Sequence, residues 1–118
     1  MTARNGKRTV KRRNRLPAKL LNDIVARVVK AAKPEKIILF GSAARGSMGP
    51  DSDVDLLVIK GGKFNRTRVE EAIYDSLWGA DAPVDVIVVT PEEVEKYRDA
   101  FCLVIYPALR EGRIVYGA

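Results

Sequence analysis

The chain has 118 residues, of which 47% are hydrophobic. This length and composition suit one globular domain that buries roughly two thirds of its unfolded surface, and they leave no room for a second folded domain. Its formal net charge of +6 is typical of nucleic-acid-binding proteins, but residues 1–15 hold seven of the 21 Lys and Arg and no acid, so the remainder is near neutral. The single cysteine, Cys102, excludes an intramolecular disulfide. No apolar run approaches the ~18 residues of a membrane span, so we expect a cytoplasmic protein in a reducing compartment with no membrane partner.

Residues 1–15 form a basic arm that mixes charged side chains with Asn, Thr and Gly. Because the arm has almost no apolar content, burial cannot offset the entropy lost on ordering it. We therefore expect a disordered arm at 1–15 and a folded domain at 16–118. The arm could bind nucleic acid by counterion release, although we favour a solvated tail.

The first half of the domain alternates a helix, a strand and a short helix. A helix is predicted to open at Leu16-Pro17, to carry apolar residues at three- and four-residue spacing, and to end at Pro34. The continuous apolar run Ile37–Phe40 indicates a strand buried on both faces. Ser42 is then predicted to cap a short helix over 43–47, after the turn at Gly41. A glycine and free N–H groups at such a turn suit a phosphate, although a Gly-Ser pair alone is weak evidence.

The second half adds further strands and helices. A breaker-rich turn at 47–52 leads to a strand at 54–59, and a third strand at 84–89 follows a helix at 64–78. Thr90 and Pro91 are predicted to open a helix that runs to about Asp99. A helix at 101–109, which Pro107 could kink, and an edge strand at 113–116 complete the domain. The fold class is therefore α/β (α+β), with a small mixed sheet of three to four strands flanked by helices.

Two single residues have alternative interpretations. Trp78 could contact a base or a partner, and we favour a half-buried packing position for it. Cys102, among Phe101, Leu103 and Val104, is interpreted as a small core residue.

Three acids interrupt the apolar strands. Asp53 and Asp55 stand at alternate positions, so they share one face of the sheet with Cα atoms about 6.6 Å apart. Asp85, in Pro-Val-Asp-Val-Ile-Val-Val, is predicted to join them. Carboxylates within about 6 Å repel by on the order of 3 kcal/mol per pair at a dielectric near 20, a penalty that Mg²⁺ removes. A chain with no His and one Cys does not favour zinc, and we prefer a metal site to acids that merely end strands.

The pattern Gly41-Ser42-x-x-Arg45-Gly46, then Ser52-Asp53-x-Asp55-Leu56, with Asp85 on a later strand, resembles the nucleotidyltransferases of the DNA polymerase beta superfamily. Within it, the chain is similar to the minimal single-domain kind found beside HEPN-domain proteins in bacterial and archaeal toxin–antitoxin pairs. The resemblance covers about residues 16–116 and leaves out the basic arm.

The resemblance implies roles for these residues. Asp53 and Asp55 would hold two Mg²⁺ ions, and Asp85 would bind the catalytic ion and help to deprotonate an acceptor hydroxyl. Gly41, Ser42 and nearby amides would hold the phosphates of the substrate, ATP or another NTP. Arg45 would contact phosphate or pair with an acid, and we favour the pairing.

The acceptor is less defined by sequence. Larger relatives grip acceptors with extra domains, so we expect a partner protein to supply that surface. Our leading hypothesis is an antitoxin that adds AMP to a tyrosine of a HEPN toxin. The alternatives are a non-catalytic neutralising subunit, or a nucleotidyltransferase that acts on a nucleic acid or small molecule.

Overall fold

The computed structural model describes residues 16–46, 53–98 and 105–117. The expectations for the basic arm at 1–15, the turn at 47–52 and Cys102 lie outside the described residues.

The described residues form five helices and four strands. In chain order they are α1 (Ala18–Ala32), β1 (Lys36–Phe40), α2 (Gly41–Arg45), β2 (Val54–Ile59), α3 (Arg66–Ser76), β3 (Val84–Val89), α4 (Pro91–Tyr97), α5 (Ile105–Glu111) and β4 (Arg113–Tyr116). Those strands make one sheet in the order β3-β2-β1-β4. β1 pairs antiparallel with β2 and with β4, whereas β2 and β3 are parallel. The predicted mixed sheet flanked by helices is confirmed, with β4 on one edge.

Apolar side chains cover both faces of the sheet, in keeping with the continuous apolar runs of β1 and β2. On one face, Ile24, Val28 and Ile73 from α1 and α3 pack against strand residues such as Leu39 and Leu56. On the other face, α5 packs Ile105 and Ala108 against strand residues that include Ile38 and Leu57. Because side chains alternate along a strand, Asp55 and Asp85 belong to this second face.

The start of α2 differs from the prediction. The helix begins at Gly41 rather than Ala43, and its N-cap position is Phe40, with no capping side chain. Ser42 therefore lies inside the first turn, and its predicted N-cap position is wrong. The reason is the backbone of Gly41, whose φ of +73° lets the chain turn into the helix one residue after the strand.

Other helix boundaries are close to those predicted. α3 is shorter than the predicted 64–78, because the Asn65 side chain caps it by accepting a hydrogen bond from the Arg68 N–H. Thr90 caps α4 as predicted, and Glu93 completes a capping box. Pro107 lies in the first turn of α5, where a missing N–H costs no helical bond. None of the helices within the described ranges is both long enough and apolar enough to cross a bilayer.

Candidate active site

Asp55 and Asp85 are direct neighbours across the parallel strands. The register pairs Val54 with Val84 and Asp55 with Asp85, and continues unbroken to Ile59 and Val89. Paired residues of adjacent strands lie on the same face, with about 4.8 Å between the strands. Two acids that are 30 positions apart in the sequence are thus brought side by side, as the strand pattern predicted.

Asp53, the residue directly before β2, is the third acid in this part of the structure. It is exposed, and its charge reaches Asp55, whose pKa it helps to raise. We call Asp53, Asp55 and Asp85 the acidic cluster. Its members end or interrupt strands that are otherwise apolar, so packing alone does not explain their presence.

The pKa of Asp55 is raised above its usual value. Burial is the main cause, followed by the negative charges of Asp85 and Asp53, while the positive charge of Arg45 opposes them. A carboxylate placed among like charges in partly desolvated surroundings favours a proton or a cation. Binding of a positively charged ligand at the acidic cluster would therefore be electrostatically favourable.

The turn at Gly41 lies against the acidic cluster. Phe40 pairs with Asp55 across β1 and β2, and Gly41 follows it directly. A Cβ atom on Gly41 would collide with Oδ2 of Asp55, so the backbone comes closer to that carboxylate than any other residue allows. The turn predicted to bind phosphate thus lies directly beside the acids predicted to bind metal.

The donor set of the acidic cluster fits a hard divalent cation. All three side chains offer only carboxylate oxygens, the ligands that Mg²⁺ prefers. Within residues 16–46, 53–98 and 105–117, however, no three acidic, thiol or imidazole groups are gathered closely enough to form a ready-made metal site. A bound cation would have to draw Asp53 and Asp85 toward Asp55, and its positive charge would offset the repulsion between these carboxylates.

Tyr74 is a residue of the site that the sequence did not reveal. Its hydroxyl accepts a hydrogen bond from the Val86 N–H at 2.9 Å and lies 3.4 Å from Oδ1 of Asp85. Burial is the main cause of a raised Tyr74 pKa, so the hydroxyl keeps its proton for donation. Tyr74 is on α3, eleven positions before Asp85, and no spacing rule links a helix residue to the outer edge of the next strand.

Arg45 lies at the end of α2 and makes an ion pair. Its guanidinium nitrogen is 3.6 Å from a carboxylate oxygen of Glu111 on α5, and both side chains are more than half exposed. Arg45 also lowers the pKa of Asp55 by its charge. The pairing with an acid, favoured from the sequence, is present, and the arginine is also near enough to influence the acidic cluster.

The exposure of Trp78 differs from the prediction. Its side chain is 83% exposed, so the half-buried packing position favoured from the sequence is wrong. The physical reason is that the turn after α3 is held from its backbone: Arg27 on α1 donates hydrogen bonds to the carbonyls of Ser76 and Trp78. The turn needs no packing of the indole to keep its shape.

Comparisons with known proteins agree with this geometry. Residues 19–107 match the family model described as "Nucleotidyltransferase domain". That range contains the Gly41 turn and the whole acidic cluster. The comparison with curated proteins gave no match.

Three solved structures share the fold. One is a toxin–antitoxin with AMP-PNP, at 20% identity and a TM-score of 0.59, over 82% of this chain and 73% of that one. Another is a proposed nucleotidyltransferase from Sulfolobus solfataricus, at 24% identity and a TM-score of 0.57, over 84% and 78% of the two chains. The third is a mutant of the toxin–antitoxin MntA-HpeT, at 18% identity and a TM-score of 0.58, over 80% and 71%.

The family match spans most of the chain, and the strand register supplies the neighbouring carboxylates that the motif predicts. The chain belongs to the nucleotidyltransferase domain family.

Proposed function

We propose that the protein is a Mg²⁺-dependent nucleotidyltransferase that transfers AMP from ATP to a tyrosine hydroxyl of a HEPN-domain toxin and so acts as its antitoxin. The observation that carries the proposal is the register pair of Asp55 and Asp85 beside the Gly41 turn. It joins a candidate phosphate site to candidate metal ligands over a few ångströms.

Gly41 and Ser42 would hold the terminal phosphates. The first N–H groups of α2 have no partner within the helix, and a helix start favours negative charge. The missing side chain at Gly41 lets this backbone approach the Asp55 carboxylate closely. The triphosphate can therefore lie along the turn with its α-phosphate near the acidic cluster.

Asp53, Asp55 and Asp85 would hold two Mg²⁺ ions. When bound, these ions supply charge stabilisation for the attacking and leaving oxygens of an in-line displacement. The contribution of the chain is to fix the carboxylates: the β2–β3 register sets Asp55 against Asp85, and Tyr74 supports Asp85 from the outer edge of β3.

The reaction forms one P–O bond and breaks another. The tyrosine oxygen of the acceptor attacks the α-phosphorus of ATP, and the bond to the bridging oxygen of the β-phosphate breaks, releasing pyrophosphate. Asp85, exposed at the edge of the cluster, takes the proton of the hydroxyl. Attack in line places the acceptor opposite the leaving group, on the side of the cluster away from Gly41.

The comparisons support the partner class. Two of the structures that share the fold are toxin–antitoxin proteins, and one of these holds AMP-PNP, an ATP analogue. The assignment of the toxin to the HEPN class comes from the sequence resemblance.

The experiment is to incubate the protein with a candidate HEPN partner, Mg²⁺ and each NTP in turn, and to weigh both proteins intact. We expect the partner to gain the mass of AMP with ATP, and Asp53→Asn to abolish the gain. If no NTP adds mass to the partner, protein nucleotidylation is rejected. If Asp53→Asn still protects cells from the toxin at normal abundance, neutralisation is by binding alone.

A further inference from the structure

An open groove lies beside the candidate active site, at the outer edge of β3. It has a volume of about 610 Å³ and is lined by Tyr74 and residues 77–84. Most of its lining is apolar, and two of its members, Tyr74 and Trp78, are exposed aromatic side chains. A groove of this size is in the range that holds a few side chains of a peptide or a small ligand.

The groove is continuous with the acidic cluster through Tyr74. The ring of Tyr74 lines the groove, while its hydroxyl lies 3.4 Å from Oδ1 of Asp85. The sheet order places β1 and the Gly41 turn on the other side of Asp55. The phosphate site and the groove therefore lie at opposite ends of one row, with the acids between them.

The backbone that carries the exposed Trp78 is held in place by hydrogen bonds. Arg27 donates hydrogen bonds to the backbone carbonyls of Ser76 at 2.9 Å and Trp78 at 2.8 Å, and an ion pair with Asp23 fixes the guanidinium. The Ala80 N–H closes the turn on the Leu77 carbonyl. Because the backbone of this turn is already ordered, binding has to order only the indole side chain, and an exposed tryptophan of this kind suits a contact residue at an interface.

The charge of the groove selects among occupants. Among the residues that the structure describes, Asp81 is the only charged member of the lining, and Asp85 lies just beyond Tyr74. The nearest described cation, Arg27, is already bound by Asp23 and by the carbonyls of the turn, and the described lining itself has no lysine or arginine. Such a lining disfavours triphosphates and nucleic acid, which need positive charge. A neutral or basic polypeptide meets no such repulsion.

We propose that this groove docks the acceptor segment of the partner protein: an apolar residue of the segment packs on Trp78, basic residues lie near Asp81, and the adjacent tyrosine reaches Asp85. This inference rests on the proposed function, because the in-line geometry is what places the acceptor on the β3 side. It adds the surface by which the acceptor is recognised.

The test uses Trp78 as its own reporter, since it is the only tryptophan in the chain. The full chain is titrated with a short synthetic peptide that carries a single tyrosine, apolar residues and flanking lysines. A second peptide has glutamates in place of the lysines. We expect a saturable shift of the Trp78 emission to shorter wavelength with the lysine peptide below about 1 mM, and at least roughly tenfold weaker binding of the glutamate peptide.

Charge reversal provides a matched pair of variants. Asp81→Lys should weaken binding of the lysine peptide by about tenfold, whereas Glu71→Lys, an equal charge change at an exposed α3 residue outside the groove lining, should leave it unchanged. In the transfer assay, Trp78→Ala should raise the KM for the protein acceptor by roughly 10–100-fold and leave the affinity for Mg-ATP unchanged.

The outcomes separate this proposal from the proposed function. If wild-type protein binds Mg-ATP in calorimetry but the lysine peptide causes no saturable shift, the groove proposal alone is overturned. A shift of Trp78 emission by Mg-ATP or by an RNA oligonucleotide in the absence of peptide also overturns it, because the groove would then hold a base. If calorimetry shows no Mg-ATP binding, the proposed function fails.

Discussion

The backbone of Gly41 lies in contact with the Asp55 carboxylate, in the space where every other amino acid would carry a Cβ atom. Gly41 comes from the turn after β1 and Asp55 from the start of the neighbouring strand β2. The two residues join the candidate phosphate turn to the candidate metal ligands.

Gly41→Ala should damage the site more than the fold. The methyl group collides with Oδ2 of Asp55, and alanine at a φ of +73° adds backbone strain of about 1–2 kcal/mol. Gly62→Ala is the matched control, because Gly62 has a φ of +82° but open space around its Cβ position. We expect transfer activity to fall at least about 100-fold for Gly41→Ala only, with similar loss of stability in both variants. Equal activity of the two would contradict the contact.

Asp55→Asn should stabilise the metal-free protein at pH 7. Because the folded-state pKa of Asp55 is raised, the wild type loses stability as the pH rises from the ordinary carboxyl pKa through the folded value. Asparagine avoids this loss, and since water screens a half-buried group we expect a Tm gain of only roughly 2–5 °C. The gain should vanish below about pH 4, and thermal melts over a pH series measure it.

Magnesium should make the Tm of the wild type higher than that of Asp55→Asn, the reverse of their order without metal. Added Mg²⁺ should raise the Tm of the wild type and leave that of Asp55→Asn unchanged, since the variant lacks one carboxylate of the acidic cluster. Asp81→Asn, at an exposed acid outside the cluster, should behave as the wild type does. A Tm gain from Mg²⁺ in Asp55→Asn would show that the cation binds elsewhere.

Arg45→Ala should have little effect on nucleotide affinity. The ion pair with Glu111 is long, at 3.6 Å, and exposed at both ends, so its loss should cost less than about 0.5 kcal/mol of stability. Isothermal calorimetry should give Mg-ATP affinities within about threefold for wild type, Arg45→Ala and Glu111→Gln. A loss of affinity of tenfold or more in Arg45→Ala alone would assign Arg45 to the phosphates instead.

Tyr74→Phe should lower kcat without unfolding the protein. The substitution keeps the ring in the groove but removes the hydroxyl that bonds the Val86 N–H and lies beside Asp85. We expect kcat to fall by about 3–10-fold and the acceptor KM to stay the same, because the hydroxyl positions Asp85 and the ring contacts the acceptor. Tyr116→Phe, on the opposite edge strand, is the control. A change in KM alone would remove Tyr74 from the support of Asp85.

Glu93→Gln should destabilise the protein at neutral pH and progressively less in acid. The pKa of Glu93 is lowered, first by the Thr90 N–H and then by Arg66, which spans from α3 to hold both carboxylate oxygens. A lowered pKa gives stability that is present above the usual carboxyl pKa and is lost as the pH falls through the folded value. Urea midpoints should therefore converge for variant and wild type in acid. Glu95→Gln, at an exposed glutamate of the same helix, should show no such pattern.

Strand identity was predictable because burial on both faces leaves continuous apolar runs, as in residues 37–40 and 86–89. The pairing of Asp55 with Asp85 followed from those runs and the motif. The start of α2 was not predictable, because it depends on the positive φ angle of Gly41, and a glycine in the sequence is compatible with either sign of φ. Nor was the exposure of Trp78, which depends on hydrogen bonds from Arg27, 51 positions away. Such long-range contacts leave no periodic pattern.

The parallel pairing of β2 and β3 also limits where the chain can accept inserted residues. The connection at 60–83 spans the loop and α3, so insertions at its exposed turns alter only the crossover, and the two acids stay aligned. One residue inserted between Asp85 and Val86 would instead turn that carboxylate to the opposite face of the sheet, because the buried Val86 and Val88 keep the rest of β3 in register. Length variation among natural homologues should accordingly be found in the crossover and be excluded from the six residues of β3.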